Sequence, residues 1–274
     1  MDVRRIIAAG ELASRFQPIV QLSDGHVVAH EALSRGPAGG AAECPRALFA
    51  AADAEGCGAA LDAACRAAAL RRATDAGWSG SAGGPLFLNV HPGTLAGPGF
   101  LPELERTVAA HGVCPGEVVL EVSEAERLDG DAAAALAACR GAGFWVALDD
   151  VGAGRCGLRA IAEVVPDVVK VDRALIGGVD AHRGRRAAVA ALARLARELG
   201  IVVVAEGIER EGELRAVREV GVPLGQGLLL GAPAEAPLAP GAVSPAAARG
   251  AGSVARGYAR PRRLPRRRVF LPMR

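Results

Sequence analysis

Eight short segments rich in aliphatic and β-branched residues recur along the 274-residue chain, and helical stretches separate most of them. The predicted strands cover residues 16–22, 27–33, 86–90, 117–122, 144–149, 167–171, 201–205 and 225–230. Ala-, Leu- and Arg-rich stretches with helical spacing lie at residues 46–55, 58–76, 100–111, 130–141, 183–199 and 209–220. Several strands are continuous apolar runs, as expected of strands covered on both faces. The alternation predicts an α/β fold, a TIM-type (β/α)8 barrel.

The connection between the first two predicted strands departs from this alternation. Only Ser23-Asp24-Gly25-His26 separates them, which is too short for a parallel crossover, and Asp-Gly is a hairpin turn signal. We therefore expect an irregular barrel whose first strand is antiparallel. The barrel should occupy residues 1–239, and the Ala-, Gly-, Pro- and Arg-rich residues 240–274 should form a disordered tail.

Charge and cysteine usage narrow the functional classes. Residues 256–274 carry eight Arg and no acidic residue, which leaves 24 basic and 30 acidic residues in positions 1–255. The basic tail would suit an anionic lipid or nucleic-acid surface, but solvated disorder is the default and no specific nucleic acid is expected. Six cysteines without a C-x-x-C pair favour a reduced protein over a zinc site. Without a signal peptide or a long apolar run, a cytoplasmic location is expected.

Two residue types occur only once in the chain, and both single residues fall in predicted strands. Lys170 is the only lysine among 32 basic residues, and Asn89 is the only asparagine. The composition favours residues with GC-rich codons, so a remaining lysine suggests a role that arginine cannot fill. Lysine offers a compact ammonium with an adjustable pKa, and asparagine offers a neutral oxygen that can ligate a hard cation. Both residues are therefore candidates for a functional site.

Polar side chains collect at or near the ends of the predicted strands. The residues in these positions are Glu31, Arg35, Asn89, Glu121, Asp149, Asp150, Lys170, Asp172, Glu206 and Gln226. Catalytic groups of TIM-type barrels lie at the carboxyl ends of strands, and a buried charge is costly unless it is paired or bound to a metal. Oxygen ligands favour Mg²⁺, Mn²⁺ or Ca²⁺, and the adjacent Asp149 and Asp150 could bridge two ions. The pattern indicates a metal-dependent phosphoryl hydrolase in which two ions activate water.

The motifs in these strands resemble those of the EAL-domain family of cyclic di-GMP phosphodiesterases. The similar segments come in family order across residues 12–233: QPIV at 17–20, EALSR at 31–35, FLNVHP at 87–92, EVSE at 121–124, ALDDVGAG at 147–154, KVD at 170–172, AEGIE at 205–209 and QG at 226–227. The family's barrel has the reversed first strand that the Asp24-Gly25 turn also indicates. The resemblance implies hydrolysis of one phosphodiester of cyclic di-GMP to linear 5′-pGpG with two Mg²⁺ or Mn²⁺ ions.

The resemblance also implies a role for each site residue. The implied roles are metal ligation by Glu31, Asn89, Glu121, Asp149 and Asp150, catalysis by Glu31, Lys170 and Glu206, substrate binding by Arg35, Asp172 and Gln226, and loop support by Glu124. Lys170 would contact the attacking water or a phosphate oxygen, and Glu206 would serve as a metal ligand or general base. Arg35 would bind a substrate phosphate, to which a guanidinium fork is well suited.

One segment departs from the family pattern. After Asp150 the family usually has Phe-Gly-Thr-Gly-Tyr-Ser-Ser, whereas residues 151–157 here read VGAGRCG. In the family this loop supports the second metal and takes part in dimer contacts, so a homodimer is expected. The missing Thr hydroxyl and Tyr ring bear on turnover rate and dimer coupling rather than on the metal site.

Three other interpretations stay open. The chain could be a receptor that binds cyclic di-GMP without cleaving it, and Glu31→Ala would separate the two because only an enzyme has hydrolysis to lose. The polar ring could be a barrel core satisfied by internal ion pairs. A Schiff-base lyase that uses Lys170 is the third, although surrounding carboxylates would keep that lysine protonated and non-nucleophilic.

Overall fold

Eight strands close into one barrel in the computed structural model, and they follow one another around the ring in chain order. They are β1 (Ala13–Gln21), β2 (Val27–Arg35), β3 (Leu86–Asn89), β4 (Val118–Ser123), β5 (Trp145–Val151), β6 (Val168–Val171), β7 (Val202–Ala205) and β8 (Leu224–Gly225). β1 is antiparallel to both β2 and β8, and the remaining neighbours are parallel. The structure describes residues 1–95, 97, 99–123, 130–153, 157–244 and 246. The predicted barrel with a reversed first strand is confirmed.

The turn between β1 and β2 has the local chemistry that its sequence predicts. Gly25 adopts a left-handed φ of 84°, a conformation that costs glycine little because it lacks a Cβ. The Asp24 carboxylate accepts a hydrogen bond from the His26 amide at 3.1 Å. This Asp-Gly turn lets the chain reverse within the five residues 22–26, so no crossover helix lies between the two strands.

Helices of very different length surround the barrel in the described part of the chain. They are α1 (Val3–Ala9), α2 (Pro45–Ala54), α3 (Gly58–Asp75), α4 (Gly80–Gly83), α5 (Pro92–Leu95), α6 (Phe100–Ala110), α7 (Gly130–Gly141), α8 (Gly157–Val164), α9 (Arg173–Ile176), α10 (Arg183–Leu199) and α11 (Glu211–Glu219). The six predicted helical stretches correspond to α2, α3, α6, α7, α10 and α11. The other five span at most eight residues, too few turns for a clear helical period. Within the described residues, no helix has the length and apolarity needed to cross a bilayer.

Two strand boundaries differ from the sequence prediction. β2 continues to Arg35, so Glu31 lies in the middle of the strand rather than near its end. β8 has only two residues, and Gln226 follows it instead of lying within it. The chain turns at Gly227, where φ is 155° and an added Cβ would lie 2.2 Å from the Ile208 carbonyl oxygen. This close backbone approach explains why the apolar run at 225–230 does not continue as a strand.

The segment after β8 lies along the β1–β2 hairpin. Phe16 exchanges both backbone hydrogen bonds with Ala234, and the Val27 amide donates to the Ala242 carbonyl at 2.9 Å. Residues 242–244 thus contact the barrel, while the proposed division between residues 239 and 240 stays a prediction. The Arg-rich part of the expected tail, residues 256–274, lies outside the described residues.

The barrel interior is divided into an apolar layer and a polar layer. The buried apolar cluster inside the barrel contains Ile19, Ala29, Phe87, Val119, Trp145, Ala147, Val168, Val204 and Leu224. Side chains two residues apart on a strand lie on the same face. Residues two positions further along five of these strands are Glu31, Asn89, Glu121, Asp149 and Lys170, and Glu206 continues the face of Val204 beyond the end of β7. Strand periodicity therefore aims the predicted site residues into the barrel, above its apolar floor.

Candidate active site

Lys170 lies at the centre of four carboxylates that come from different strands or strand ends. Its Nζ atom is 3.1 Å from Glu31 Oε2, 2.7 Å from Glu121 Oε1, 3.2 Å from Asp149 Oδ1 and 2.7 Å from Glu206 Oε1. The lysine side chain is 1% exposed. Burial alone lowers the pKa of Lys170, but the four carboxylates outweigh it and hold this pKa well above its ordinary value. The lysine is therefore a charged ammonium, which argues against the Schiff-base interpretation.

The carboxylates around Lys170 carry more negative charge than one ammonium can balance. Burial raises the pKa of Glu121 well above its ordinary value, and the neighbouring Glu31 raises it further. Burial also raises the pKa of Glu206 to about 8, against the lowering effect of Lys170. Asp150 has a raised pKa through burial and the nearby Asp149. Full ionisation of these carboxylates is therefore disfavoured in the metal-free protein, and a further cation would stabilise their charged forms.

Two amides join this group of carboxylates. Asn89 pairs with Glu121 in the β3–β4 register and donates from Nδ2 to Glu121 Oε2 at 3.3 Å. Gln226 donates from Nε2 to Glu31 Oε2 at 2.6 Å and to Gln17 Oε1 at 3.0 Å. Gln17 received no role from the sequence, although its place opposite Glu31 in the β1–β2 register is a direct consequence of the hairpin. The amides hold the carboxylates in position and add neutral oxygens to the donor set.

The donor atoms fit a hard divalent cation. Asp149, Asp150 and Glu206 offer three carboxylate oxygens that lie within 4.8 Å of one another. Gln226 Oε1 is buried and accepts no hydrogen bond within the described part of the chain, whereas Glu121 Oε1 and Asp149 Oδ1 contact the Lys170 ammonium at 2.7 and 3.2 Å. A buried amide oxygen without a donor, next to clustered carboxylates, is a set of ligands that suits Mg²⁺, Mn²⁺ or Ca²⁺.

Asp150 is brought to the site by an irregularity in the barrel. The β5–β6 register shifts between Leu148 and Val151, and Asp150 adopts a positive φ of 57°. A non-glycine residue rarely adopts this conformation, and such residues cluster at functional sites. Without the irregularity, strand alternation would place Asp149 and Asp150 on opposite faces. The local distortion therefore allows adjacent carboxylates to approach the same place.

The remaining predicted site residues lie around this centre or outside the described residues. Arg35 ends β2, and its guanidinium donates to the Ser34 carbonyl at 2.8 Å. Asp172 follows β6 and caps α9 by accepting from the Ala174 amide at 2.7 Å. Glu124, which was expected to support the loop after Asp150, lies outside the described residues. The structure thus brings the predicted catalytic and metal-ligating residues together at the carboxyl end of the barrel.

Known proteins are similar to this chain in fold or in sequence. A solved structure of Klebsiella pneumoniae BlrP1 in a manganese and cyclic di-GMP complex matches with a TM-score of 0.75 and 33% identity, covering 82% of this chain and 56% of that one. The bifunctional diguanylate cyclase/cyclic di-GMP phosphodiesterase MucR of Pseudomonas aeruginosa is 29% identical over 177 residues, which are 63% of this chain. The blue light- and temperature-regulated antirepressor BluF of Escherichia coli is 30% identical over 146 residues, which are 52% of this chain.

The chain matches only part of the length of these relatives. The chain spans 25% of the length of MucR and 36% of that of BluF. The family model described as EAL domain, in contrast, matches residues 1–233 and so includes every strand of the barrel. Together with the carboxylate-rich site and the reversed first strand, this match shows that the chain belongs to the EAL-domain family.

Proposed function

We propose that this chain hydrolyses one phosphodiester bond of cyclic di-GMP and releases linear 5′-pGpG. The observation that carries the proposal is the convergence of Glu31, Glu121, Asp149 and Glu206 on Lys170 at the carboxyl end of the barrel. A polar core satisfied by internal ion pairs would need a cation for each charged carboxylate, whereas four carboxylates here share the one ammonium of Lys170. Relatives named as cyclic di-GMP phosphodiesterases support the choice of substrate.

Two divalent cations, Mg²⁺ or Mn²⁺, fit the oxygen donors of the site. One would be held by Glu31, Asn89, Glu121 and Asp149, and the second by Asp149 and Asp150 together with Glu206. When bound, such ions stabilise charge on a phosphoryl group and make water a stronger nucleophile. The manganese in the BlrP1 complex supports this choice of cofactor.

The side chains of the site would bind the substrate and move one proton. Water attacks phosphorus, and the bond from phosphorus to the ribose 3′ oxygen breaks, so that the phosphate stays on the 5′ oxygen of the neighbouring nucleotide. Glu206 would accept the proton of the water once bound cations favour its carboxylate form, because in the metal-free protein burial raises its pKa to about 8 and favours the protonated form. The departing 3′ oxygen gains a proton, which balances the reaction.

Positive charge and hydrogen-bond donors would hold the phosphate during this reaction. The Lys170 ammonium is fixed by four carboxylates and supplies a positive charge at the reacting phosphate. Arg35 would bind a phosphate oxygen through its guanidinium, and Asp172 and Gln226 would help position the substrate. A cytoplasmic location and a homodimer that involves the loop after Asp150 also stay proposals. Residues 154–156 of this loop lie outside the described residues.

The direct test is incubation of the purified protein with cyclic di-GMP, with Mg²⁺, with Mn²⁺ and with EDTA, followed by chromatography. We expect 5′-pGpG with either metal and none with EDTA. Glu31→Gln should lose this activity. Glu117→Gln is a matched control, because Glu117 precedes β4 at the amino end of the barrel and accepts from the Cys114 amide at 3.0 Å, and it should keep the activity. Turnover that persists in EDTA would contradict the proposal.

A second candidate is a receptor that binds cyclic di-GMP without cleaving it. It is favoured by the altered loop after Asp150 and by the similarity to BluF, whose name describes an antirepressor rather than an enzyme. A receptor would bind cyclic di-GMP in isothermal titration calorimetry and yield no 5′-pGpG with either metal. An enzyme yields the product under the same conditions.

A further inference from the structure

A buried carboxylate on α3 reaches the segment that follows the metal-site asparagine. Asp62 is 1% exposed, and its Oδ1 atom accepts a hydrogen bond from the His91 amide at 3.2 Å. His91 lies two residues after Asn89, where the chain leaves β3 and begins α5. A buried side chain thus fixes the backbone where Asn89 enters the site.

Asp62 is itself held by a buried arginine. Arg66, one turn further along α3, forms a salt bridge with Asp62 and a second one with Glu103 of α6 at 2.9 Å. The guanidinium carbon of Arg66 lies 5.1 Å from the ring centroid of Phe100, also on α6. An aspartate held in this way has little rotamer freedom, so it can fix its own acceptor atom in space.

The His91 side chain is fixed from another direction. Its ring stacks on Phe49 of α2, with centroids 6.1 Å apart and planes inclined by 6°. The preceding amide, that of Val90, donates to the Glu121 carbonyl at 2.8 Å. Consecutive residues after Asn89 are therefore bound to β4, α3 and α2, which leaves the asparagine little backbone freedom.

From these contacts we propose that Asp62 is a positioning residue that, through the His91 amide, sets the direction in which Asn89 presents its side chain to a metal ion. The inference rests on the proposed metal-dependent function of the site. Asn89 is exposed in the mouth of the barrel, and within the described residues its side chain has one hydrogen bond, at 3.3 Å, to Glu121. Its own contacts hold it weakly, so the backbone that carries it decides its position. Residues that orient metal ligands typically change metal affinity when they are replaced.

An aspartate with similar contacts but a purely structural role lies at the other end of the barrel and can serve as a control for Asp62. Asp167 immediately precedes β6, accepts from the Val146 amide at 3.0 Å and pairs with Arg140 at 3.2 Å. Asp167 is a partly buried aspartate, with a side chain that is 8% exposed and the same two kinds of partner, but it lies at the amino end of the strand, away from the metal-site residues. Asp167→Leu is therefore a matched control for Asp62→Leu.

The test compares Mn²⁺ binding to the full-length wild type, Asp62→Leu, Asp62→Asn and Asp167→Leu by isothermal titration calorimetry. We expect Asp62→Leu to raise the Kd for Mn²⁺ about ten-fold. Asp62→Asn keeps an acceptor for the His91 amide, so its Kd should lie between those of the wild type and Asp62→Leu. Asp167→Leu should lose stability and keep the wild-type Kd.

A second measurement covers the case in which Asp62→Leu does not fold. Hydrogen exchange of the amides in residues 89–95 should then be faster in Asp62→Asn than in the wild type, together with a raised Kd for Mn²⁺. A folded Asp62 variant with an unchanged Kd, next to a wild type that binds Mn²⁺, would overturn the positioning role and leave the proposed hydrolase intact. A wild type that binds no Mn²⁺ would overturn both.

Discussion

Nζ of Lys170 lies 2.7 Å from Oε1 of Glu206, although the two residues come from β6 and from the segment directly after β7. In the parallel register Lys170 is opposite Val204, so Glu206 lies two residues further toward the barrel mouth on the same face. The ammonium reaches carboxylates on β2, β4 and β5 and in the segment after β7. In the metal-free protein this single positive charge is the buried counter-ion of the acidic site.

Lys170→Met should reduce stability far more without metal than with it. Removal of one partner from a buried group of charges leaves the others uncompensated and costs about 3–5 kcal/mol. Added Mn²⁺ replaces part of the missing positive charge, so the loss should shrink. Denaturant unfolding in EDTA and in Mn²⁺ measures the two values.

A second variant provides the control for this prediction. Arg140→Met removes a cation from the Asp167 pair at the amino end of β6, and its stability loss should be the same in EDTA and in Mn²⁺. Equal losses for Lys170→Met in both conditions would show that the lysine is not the counter-ion of a metal site.

Glu121→Gln should separate stability from activity. Because burial and Glu31 raise the pKa of Glu121 well above its ordinary value, its charged form is disfavoured without metal, and glutamine resembles the protonated form. The free energy of unfolding in EDTA should therefore not decrease. Hydrolysis of cyclic di-GMP should fall about 100-fold or more, since a lost metal ligand removes several kcal/mol of charge stabilisation. A variant that is unstable in EDTA or fully active would contradict this account.

His30 should make the protein less stable as the pH falls below about 6.5. Burial lowers the pKa of His30 from 6.5 to about 4, and its Nε2 accepts from the Leu238 amide at 3.0 Å, so the folded state requires the neutral ring. The unfolded chain binds the proton first, so the stabilisation is fully present above pH 6.5 and is lost toward pH 4. The loss amounts to about 3 kcal/mol.

The measurement is the free energy of unfolding in EDTA between pH 7 and pH 4 for the wild type and His30→Gln. The wild type should lose about 3 kcal/mol more than the variant over this range. Parallel pH profiles for the two proteins would show that His30 does not carry this dependence.

The cysteines should differ sharply in their reaction with iodoacetamide at pH 8. Burial raises the pKa of both Cys65 and Cys139 to about 11, so their reactive thiolate is scarce as well as inaccessible. Cys44 and Cys114 are free and exposed and should be alkylated first. Peptide mass mapping after short reaction times measures the order, and early labelling of Cys139 would indicate that α7 opens from the barrel.

Deletion of residues 256–274 should leave hydrolysis intact. The family match ends at residue 233, and the carboxylate site is formed entirely by earlier residues. The truncated and full-length proteins should therefore give equal rates of 5′-pGpG formation. A large drop in rate for the truncated protein would mean that the Arg-rich tail takes part in the reaction.

Much of the fold follows from local patterns. Apolar runs of strand length, helical spacing between them and the Asp24-Gly25 turn are short-range signals, because each depends on residues that are close in the chain. The same patterns failed at β8, where the backbone of Ile208 approaches Gly227 and ends the strand. That approach joins two segments that no local period relates.

Asp62 shows why part of the site was not predicted. An aspartate four residues before an arginine on a helix is the ordinary pattern of an exposed ion pair, so the sequence offered no reason to treat Asp62 and Arg66 as buried. The structure places them between α6 and the end of β3, where their charges have partners. Burial depends on which elements pack against a helix, and only the tertiary structure decides this.

The sequence by itself determined the barrel, its reversed first strand and the residue types available at its mouth, because strand alternation aims Asn89, Glu121 and Lys170 to one side. Only the tertiary structure decided how these groups pair. The distance between charges from different strands depends on how the barrel closes. The closed barrel places Lys170 among four carboxylates, and burial there raises the pKa of Glu206. Coulomb energies and desolvation vary with separation and burial, which strand periodicity does not specify.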